Sequence, residues 1–388
     1  MLKIINTNFD KNQIYFYFII LIGLFFRLTA SQLGHHTTDI EWWVFINDIY
    51  ALDGEFYGTG VNVYAPGFIN ILKFLNNLPF FAMDSLSAFR WKLIIFLTLI
   101  DCLIATILYR RFSLLITTLF FLNPISIFIT GFHNQFDNIA ILLGLSAVLA
   151  YENDKNKGFY FSAFLIGFSL IIKHLLFIFP IWLAIKEQKI IRKFLIIFIP
   201  YTIFLFSFAP FLPDQFNNIL ADVFTYESFG NGPFWSIFTP QFLGSYIGYK
   251  KLFIIALLIL GFFVDKKNIM DSFLIYTIAL VVFSSAVANQ YLAIPIIAIA
   301  VYWNPYFLLY TIACSLFFLV NHDALDIESI KEIINYSRKK ARIGYKVIIF
   351  FLTIGLLEVI LSKKILNKFY KKIYFWILTK FKNQINFK

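Results

Sequence analysis

Thr37-Thr38-Asp39-Ile40-Glu41-Trp42-Trp43 is the first polar break in the chain, and it comes directly after an apolar run at 14–33 long enough to cross a bilayer. That succession predicts a first membrane helix followed by an extramembrane loop, which runs on to Tyr64-Ala65-Pro66-Gly67. The loop sets two carboxylates, Asp39 and Glu41, at a membrane surface. A protein embedded in hydrocarbon has few places where acid or base groups meet both water and a lipid-borne substrate, so such a loop suits chemistry.

Composition agrees with the membrane reading. Of 388 residues, 60% are hydrophobic, 20% aromatic and only 14% charged, and the mean hydropathy is +0.76. These values lie far from the soluble norm and leave no room for a soluble domain of any size. The 51 Phe residues fit a low-GC coding bias. Cys102 and Cys314 both sit inside apolar segments and read as small core residues. The net charge of +11 falls in short loops and a C-terminal tail, which is a membrane-topology pattern and not a nucleic-acid footprint. The first apolar run has no small-residue cleavage site after it and carries Arg27 within it, so an uncleaved first helix is expected.

Apolar periodicity predicts an all-α polytopic membrane protein with about twelve transmembrane or re-entrant helices, near 14–33, 91–109, 112–130, 138–151, 158–173, 174–185, 194–212, 250–264, 270–287, 291–303, 305–320 and 345–362. The stretch 138–151 and the pair meeting at Lys173-His174 are too short to cross upright and are expected to be tilted, re-entrant or buried. Arg110-Arg111, Lys186 to Lys193, Lys266-Lys267 and the tail from Lys363 fall on one side of this threading, which makes both termini cytoplasmic. Lys250-Lys251 and the cluster from Lys331 to Lys346 fall on the other, where they either bind something anionic or mark miscounted late spans. The outer face then collects 34–89, 131–137, 213–249, Asn289-Gln290 and 321–345.

Within the first loop, Trp42, Phe45, Ile46 and Ile49 are spaced as one face of an amphipathic helix lying in the interface. Asp39 at its start has two readings, a helix cap or a general base, and the local sequence leaves both open. Asn123-Pro124-Ile125-Ser126 closes one helix, and Gly131-Phe132-His133-Asn134-Gln135-Phe136-Asp137-Asn138 precedes the next. Such a cluster between apolar helices implies contact with water or substrate, so His133, Gln135 and Asp137 are candidate binding residues, with capping as the alternative at Asp137. Lys173-His174 is a cationic pair suited to a phosphate leaving group, or a lysine snorkelling to the interface. His35-His36 is the nearest approach to a metal site and lacks convincing ligand spacing.

Taken in order, Asp39-Ile40-Glu41, Val63-Tyr64-Ala65-Pro66-Gly67, Asp101, Asn123-Pro124, Phe132 to Asn138, and Gly167 to Lys173 resemble the membrane-integral GT-C glycosyltransferases that use polyprenyl- or dolichyl-phosphate sugars, in their glucosyltransferase and mannosyltransferase-like branch. The likeness covers roughly residues 14–300, and the Gly- and Trp-bearing segment from Phe224 to Trp235 is similar to an outer loop of these enzymes. Ile40 stands where that branch has an aromatic, Ala65-Pro66 where it has a double proline, and the His-Glu-Lys pattern of the eukaryotic glucosyltransferases is missing.

The resemblance implies a GT-C-like fold with residues 1–320 as the catalytic module and 321–388 as an outer basic loop, a last helix and a cytoplasmic basic tail. It implies inverting transfer from a lipid-phosphate sugar to a glycan or lipid-linked acceptor, with Asp39 as base and Glu41 in support. Tyr64, His133, Gln135, Asp137, Lys173, His174, Trp235, Gln290 and Tyr291 become the substrate-binding candidates, and Arg27 and Arg338 to Arg342 join them as phosphate-binding cations. Some members use a divalent cation; no other cofactor is implied. The short loops point to a prokaryotic plasma membrane. The competing class is a transporter or flippase of lipid-linked glycans, which would rely on Asp101, Lys173 and Glu358 at mid-depth.

Overall fold

The computed structural model describes residues 11–32, 38–51, 57–58, 63–79, 85–154, 156–225, 232–238, 247–333 and 335–361. His35-His36, Asp53, Glu55, the segment 226–231 and the tail beyond residue 361 lie outside the described residues, as do the side chains of Asp48 and Arg338.

Every described element is helical, and a helix occupies each stretch expected to be one. The long apolar helices are α1 (Lys11–Ala30), α4 (Ser85–Arg111), α10 (Ile190–Phe206) and α18 (Arg338–Ile360). Their neighbourhoods give four helices long and apolar enough to cross a membrane, and five if α5 (Leu114–Phe121) and the segment Pro124–His133, bent by 47° at Asn123, count as one span. Exposed Phe18, Leu21 and Phe25 on α1 and Phe194, Phe198 and Phe206 on α10 leave an apolar belt of the kind that faces lipid, so the chain is an integral membrane protein. Only these helices reach spanning length among the described residues. The other expected spans are shorter or broken.

The breaks are organised by sequence. At Asn123 the side-chain Oδ1 accepts the Ile125 backbone N–H at 3.0 Å, and Pro124 follows at the first helical position of α6 (Pro124–Phe128). A π-turn, Ile129–His133, continues α6 and ends at Asn134, which is left-handed at φ 59°. Its amide donates to the carbonyls of Thr130 and Gly131 and its Oδ1 accepts from Arg90 Nε at 3.0 Å, so Asn134 is fixed by three contacts. Then α7 (Asp137–Asn153) and α8 (Lys157–Ile172) form a hairpin, joined where Ser169 Oγ donates to the Ala140 carbonyl.

The second break follows α8. Lys173 is extended, a short 3₁₀ turn spans His174–Leu176, and α9 (Phe179–Lys186) resumes. Backbone groups freed in an apolar interior need partners, and tyrosines supply them. The Tyr276 hydroxyl donates to the Leu175 carbonyl at 2.9 Å and accepts the Ile178 N–H at 3.3 Å, while Tyr201 donates to the Phe177 carbonyl at 2.6 Å. Tyr276 belongs to α14 (Ile269–Val282), reached after α11 (Phe216–Ile219), α12 (Pro233–Phe238) and α13 (Tyr249–Phe263). A third break, the 3₁₀ turn Asn289–Ala293, leads into α15 (Ile296–Val301), α16 (Pro305–Val320), α17 (Glu328–Ile333) and α18.

The first loop forms α2 (Thr38–Ala51), which carries Asp39 and Glu41 in its first turn. Its amphipathic face differs from the expected one. Ile40, Trp43 and Ile46 are buried against the protein, whereas Trp42 and Phe45 are exposed. The i, i+3, i+6 stripe faces the core because Trp43 packs edge-on against both Phe68 and Phe136, which the outward pair cannot reach. Further along, the Tyr57 backbone N–H donates to Gln215 Oε1 and the Gly58 N–H to Asp222 Oδ2, tying the first loop to 215–222.

Candidate functional site

Three helix interruptions and α2 converge on one polar locus. The π-turn delivers His133, the short irregular stretch after it delivers Gln135 and Phe136, and α7 opens with Asp137 and Asn138. The break after α8 delivers Lys173, and the 3₁₀ turn at 289–293 delivers Tyr291. Gly131 makes the first interruption fit, because a Cβ there would lie 2.5 Å from the Arg27 carbonyl oxygen of α1. α3 (Gly67–Asn76) closes on α8 the same way, with a Cβ at Gly67 falling 2.6 Å from the Ile171 carbonyl.

Asp39, half-buried at the start of α2, accepts a hydrogen bond from Gln135 Nε2. His133 is 5% exposed, its Nδ1 has no partner among the described residues, and it feels the carboxylates of Asp39, Asp323 and Asp137. Lys173 Nζ donates to Asp137 Oδ2 at 2.7 Å and lies 4.7 Å from the ring centre of Phe136, 5.3 Å from Tyr64 and 5.6 Å from Tyr291. Phe136 in turn stacks on Phe68 and meets Tyr64 edge-on, so an aromatic box surrounds the ion pair. Below it a second buried pair, Arg27 Nε to Asp101 Oδ2 at 3.0 Å, is completed by Thr130 and Asn138 donating to Asp101 and by Arg27 donating to Ser126 Oγ and the Phe121 and Gly23 carbonyls.

The structure therefore brings together Asp39, Tyr64, His133, Gln135, Asp137, Lys173 and Tyr291. Glu41 lies on the same first turn of α2 and is exposed. His174 follows Lys173 directly, and the charge of Lys250 reaches it. Trp235 stands apart, with its indole N–H committed to the Phe283 carbonyl at 2.7 Å and its ring against Phe234. Arg27 is not available as a phosphate ligand. It is wholly buried, and its donors are taken up by Asp101, Ser126 and two carbonyls.

Asn289, the neighbour of Gln290, is the better-connected residue of its pair. It donates to the Asp323 carbonyl at 3.1 Å and accepts from Asn321 and from the Tyr345 hydroxyl at 2.6 Å. Sequence reading put Asn289 and the stretch 321–345 on the same face as 131–137 but did not single out Asn289, Asn321, Asp323 or Arg90 as site residues. The signal was there for Asn321, which ends α16 just where polarity returns. Among the described residues no group of three or more His, Cys, Asp or Glu is placed to hold a metal ion, and the residues at the locus do not form such a set.

Fold and site define an all-helical integral membrane protein, as far as the described residues show, with a buried, charge-paired polar locus beside α2. No family model matches the chain, and no curated protein matches it. Among solved structures, the crystal structure of ArnT from Cupriavidus metallidurans in the apo state is similar at 11% identity and a TM-score of 0.49, over 89% of this chain and 76% of that one.

Proposed function

We propose that this chain is an inverting glycosyltransferase of the GT-C type, moving a sugar from a polyprenyl-phosphate donor to a lipid-linked or cell-envelope acceptor on the non-cytoplasmic face of a prokaryotic plasma membrane. The observation that carries the reading is the placement of Asp39. A half-buried carboxylate at the first turn of α2 is held by Gln135 near a histidine whose Nδ1 has no hydrogen-bond partner among the described residues. In the proposed step, an acceptor hydroxyl gives its proton to Asp39 as its oxygen bonds to the anomeric carbon. The bond from that carbon to the phosphate oxygen breaks, and the electron pair leaves with the polyprenyl phosphate.

His133 supplies a ring nitrogen for a sugar hydroxyl, and Tyr64 and Tyr291 supply apolar faces for the ring. Lys173 is already neutralised by Asp137, so in this reading the leaving phosphate takes its cation from Lys250, exposed at the start of α13 and within electrostatic reach of His174. That also gives the outward Lys250-Lys251 pair a use. Residues 1–320 are the catalytic module in this reading, although Asn321, Asp323 and Tyr345 close the locus from the C-terminal part. A transporter needs intramembrane charges that can exchange partners; of the three it would rely on, Asp101 and Lys173 are locked in buried pairs, and Glu358 alone keeps a buried oxygen without a hydrogen-bond partner among the described residues.

The test is sugar transfer in membranes containing wild type or Asp39→Asn, with a panel of radiolabelled polyprenyl-phosphate sugars and native lipid extract as acceptor. Loss of a general base is expected to lower turnover by about 10²–10⁴-fold while donor binding persists. Retained turnover in Asp39→Asn overturns the role of Asp39.

A further inference from the structure

Beneath Gln135 lies a small cavity of about 30 Å³, lined among others by Asp101, Thr130, Gln135, Asp137 and Asn138. Three of its lining side chains turn an acceptor that has no partner among the described residues: Gln135 Oε1, Asp137 Oδ1 and Asn138 Oδ1. Gln135 and Asp137 are each 2% exposed, so bulk water does not satisfy these atoms. Leaving a buried acceptor unmatched is unfavourable, and three around one cavity point to an occupant that donates.

Four of the nearby donor groups already have acceptors. The Thr130 hydroxyl and the Asn138 amide go to Asp101, the Lys173 ammonium goes to Asp137, and the Gln135 amide goes to Asp39. Both carboxylates at the cavity have a cationic partner, Arg27 for Asp101 and Lys173 for Asp137, so a further cation would sit there without a counter-charge. A neutral donor fits. At roughly 10–15 Å³ of such space per water, the cavity holds about two, whose four hydrogens cover three acceptors.

We infer that Gln135 is a positioning residue for Asp39, and that its carbonyl end is held by water enclosed with Asp137 and Asn138. Gln135 thereby links the carboxylate above it to two fixed ion pairs below it through a single amide: Nε2 orients Asp39, and Oε1 is oriented by the hydrated cavity. Three direct hydrogen bonds fix the neighbouring Asn134, and its backbone sets the direction in which Gln135 leaves the π-turn. The inference rests on the transferase reading only where turnover is the measurement.

Two measurements on the full-length protein do not use turnover. X-ray footprinting in detergent oxidises side chains that touch bound water, so Ile141 and Ile294, which line the cavity at 4% and 3% exposure, should label about tenfold faster than the dry core residues Ile125 and Leu145, an expectation set by cavity hydration. Equal labelling overturns the water. A hydrophobic carbodiimide, read by mass spectrometry, should modify Asp39 about tenfold faster in Gln135→Leu and in Gln135→Glu, the factor matching a lost hydrogen bond to a charged group. Gln135→Glu keeps the shape and the cavity-facing oxygen, so a purely packing role predicts wild-type labelling there, and that result overturns the positioning.

With a donor in hand, both variants should lose about tenfold in kcat with donor KM unchanged, because the contact they remove orients the base and does not bind substrate. Wild-type kcat in both, with Asp39→Asn inactive, overturns the inference and leaves the transferase reading standing. Turnover by Asp39→Asn does the reverse, since footprinting and labelling still judge Gln135.

Discussion

Lys173 Nζ lies 2.7 Å from Asp137 Oδ2 with both side chains only 3% exposed, so the cation that the sequence offers as a phosphate ligand is spent inside the protein. The pair joins the break after α8 to the first residue of α7, and the rings of Phe136, Tyr64 and Tyr291 enclose it. Its role in holding two helix interruptions together is separable from any role in binding. Lys173→Met leaves a buried carboxylate alone, and we expect it to destabilise the fold by about 3–5 kcal/mol. Lys173→Met with Asp137→Asn should recover most of that loss, read as thermal stability in detergent. If the double variant is no more stable than the single, the pair is not the contact that matters.

Gly131 sits where the π-turn crosses α1, and the crossing leaves no room for a side chain. A Cβ would fall 2.5 Å from the Arg27 carbonyl, 3.0 Å from its Cα and 3.1 Å from the Ala30 Cβ. Backbone atoms cannot rotate away as a flexible side chain can. Gly131→Ala is expected to cost about 1–3 kcal/mol by pushing the two elements apart, and to speed amide hydrogen exchange in both 126–135 and 23–31. Exchange altered in the π-turn alone would mean that α1 does not bear the contact.

Much of the fold was legible because apolar run length is a strong signal: helical structure lies in every expected stretch, but only four or five are long and apolar enough to cross a membrane, and 112–130, 174–185 and 291–303 are broken. The interruptions were legible where proline and asparagine punctuate them, at Asn123-Pro124, and at Lys173-His174 where polarity breaks an apolar run. Burial depth was not legible. Nothing local in Arg27 or Asp101 says that they meet across 74 residues, so Arg27 read as a free cation. The facing of α2 was misread for a related reason. Trp42 and Trp43 are equally apolar, and only the position of Phe68 and Phe136 decides which turns inward. Gln135 and His133 were found because five polar residues within the six positions 133–138, between apolar helices, demand a use, whereas Asn289 and Asp323 join the locus only through tertiary pairing.

Trp235 separates an anchoring role from a binding one. Its indole N–H reaches the Phe283 carbonyl at the end of α14 at 2.7 Å, and the side chain is buried. Trp235→Phe keeps most of the ring and removes the donor, leaving that carbonyl unmatched. The expected loss is about 1–3 kcal/mol of stability, with donor KM unchanged in the transfer assay. A raised KM at unchanged stability would instead put Trp235 on the substrate.

Asp101 and Asp39 should fail in opposite ways, and the contrast decides between chemistry at the first helix and charge movement at mid-depth. Asp101 accepts from Arg27, Thr130 and Asn138 at 3.0, 2.7 and 2.8 Å, so its charge has one use, to neutralise a guanidinium with no access to water. Asp101→Asn keeps the shape but strands that cation, and a stranded buried charge costs about 3–5 kcal/mol. Asp39 is half-buried with one described side-chain donor, Gln135, so Asp39→Asn should leave the melting temperature nearly unchanged. Melting in detergent and transfer per folded molecule, measured on both variants, give the answer. Asp101→Asn should melt early yet keep turnover within an order of magnitude, while Asp39→Asn should melt normally and lose turnover. The opposite pattern, a stable and inactive Asp101→Asn beside an active Asp39→Asn, would move the function from the first helix to the buried pair and favour transport.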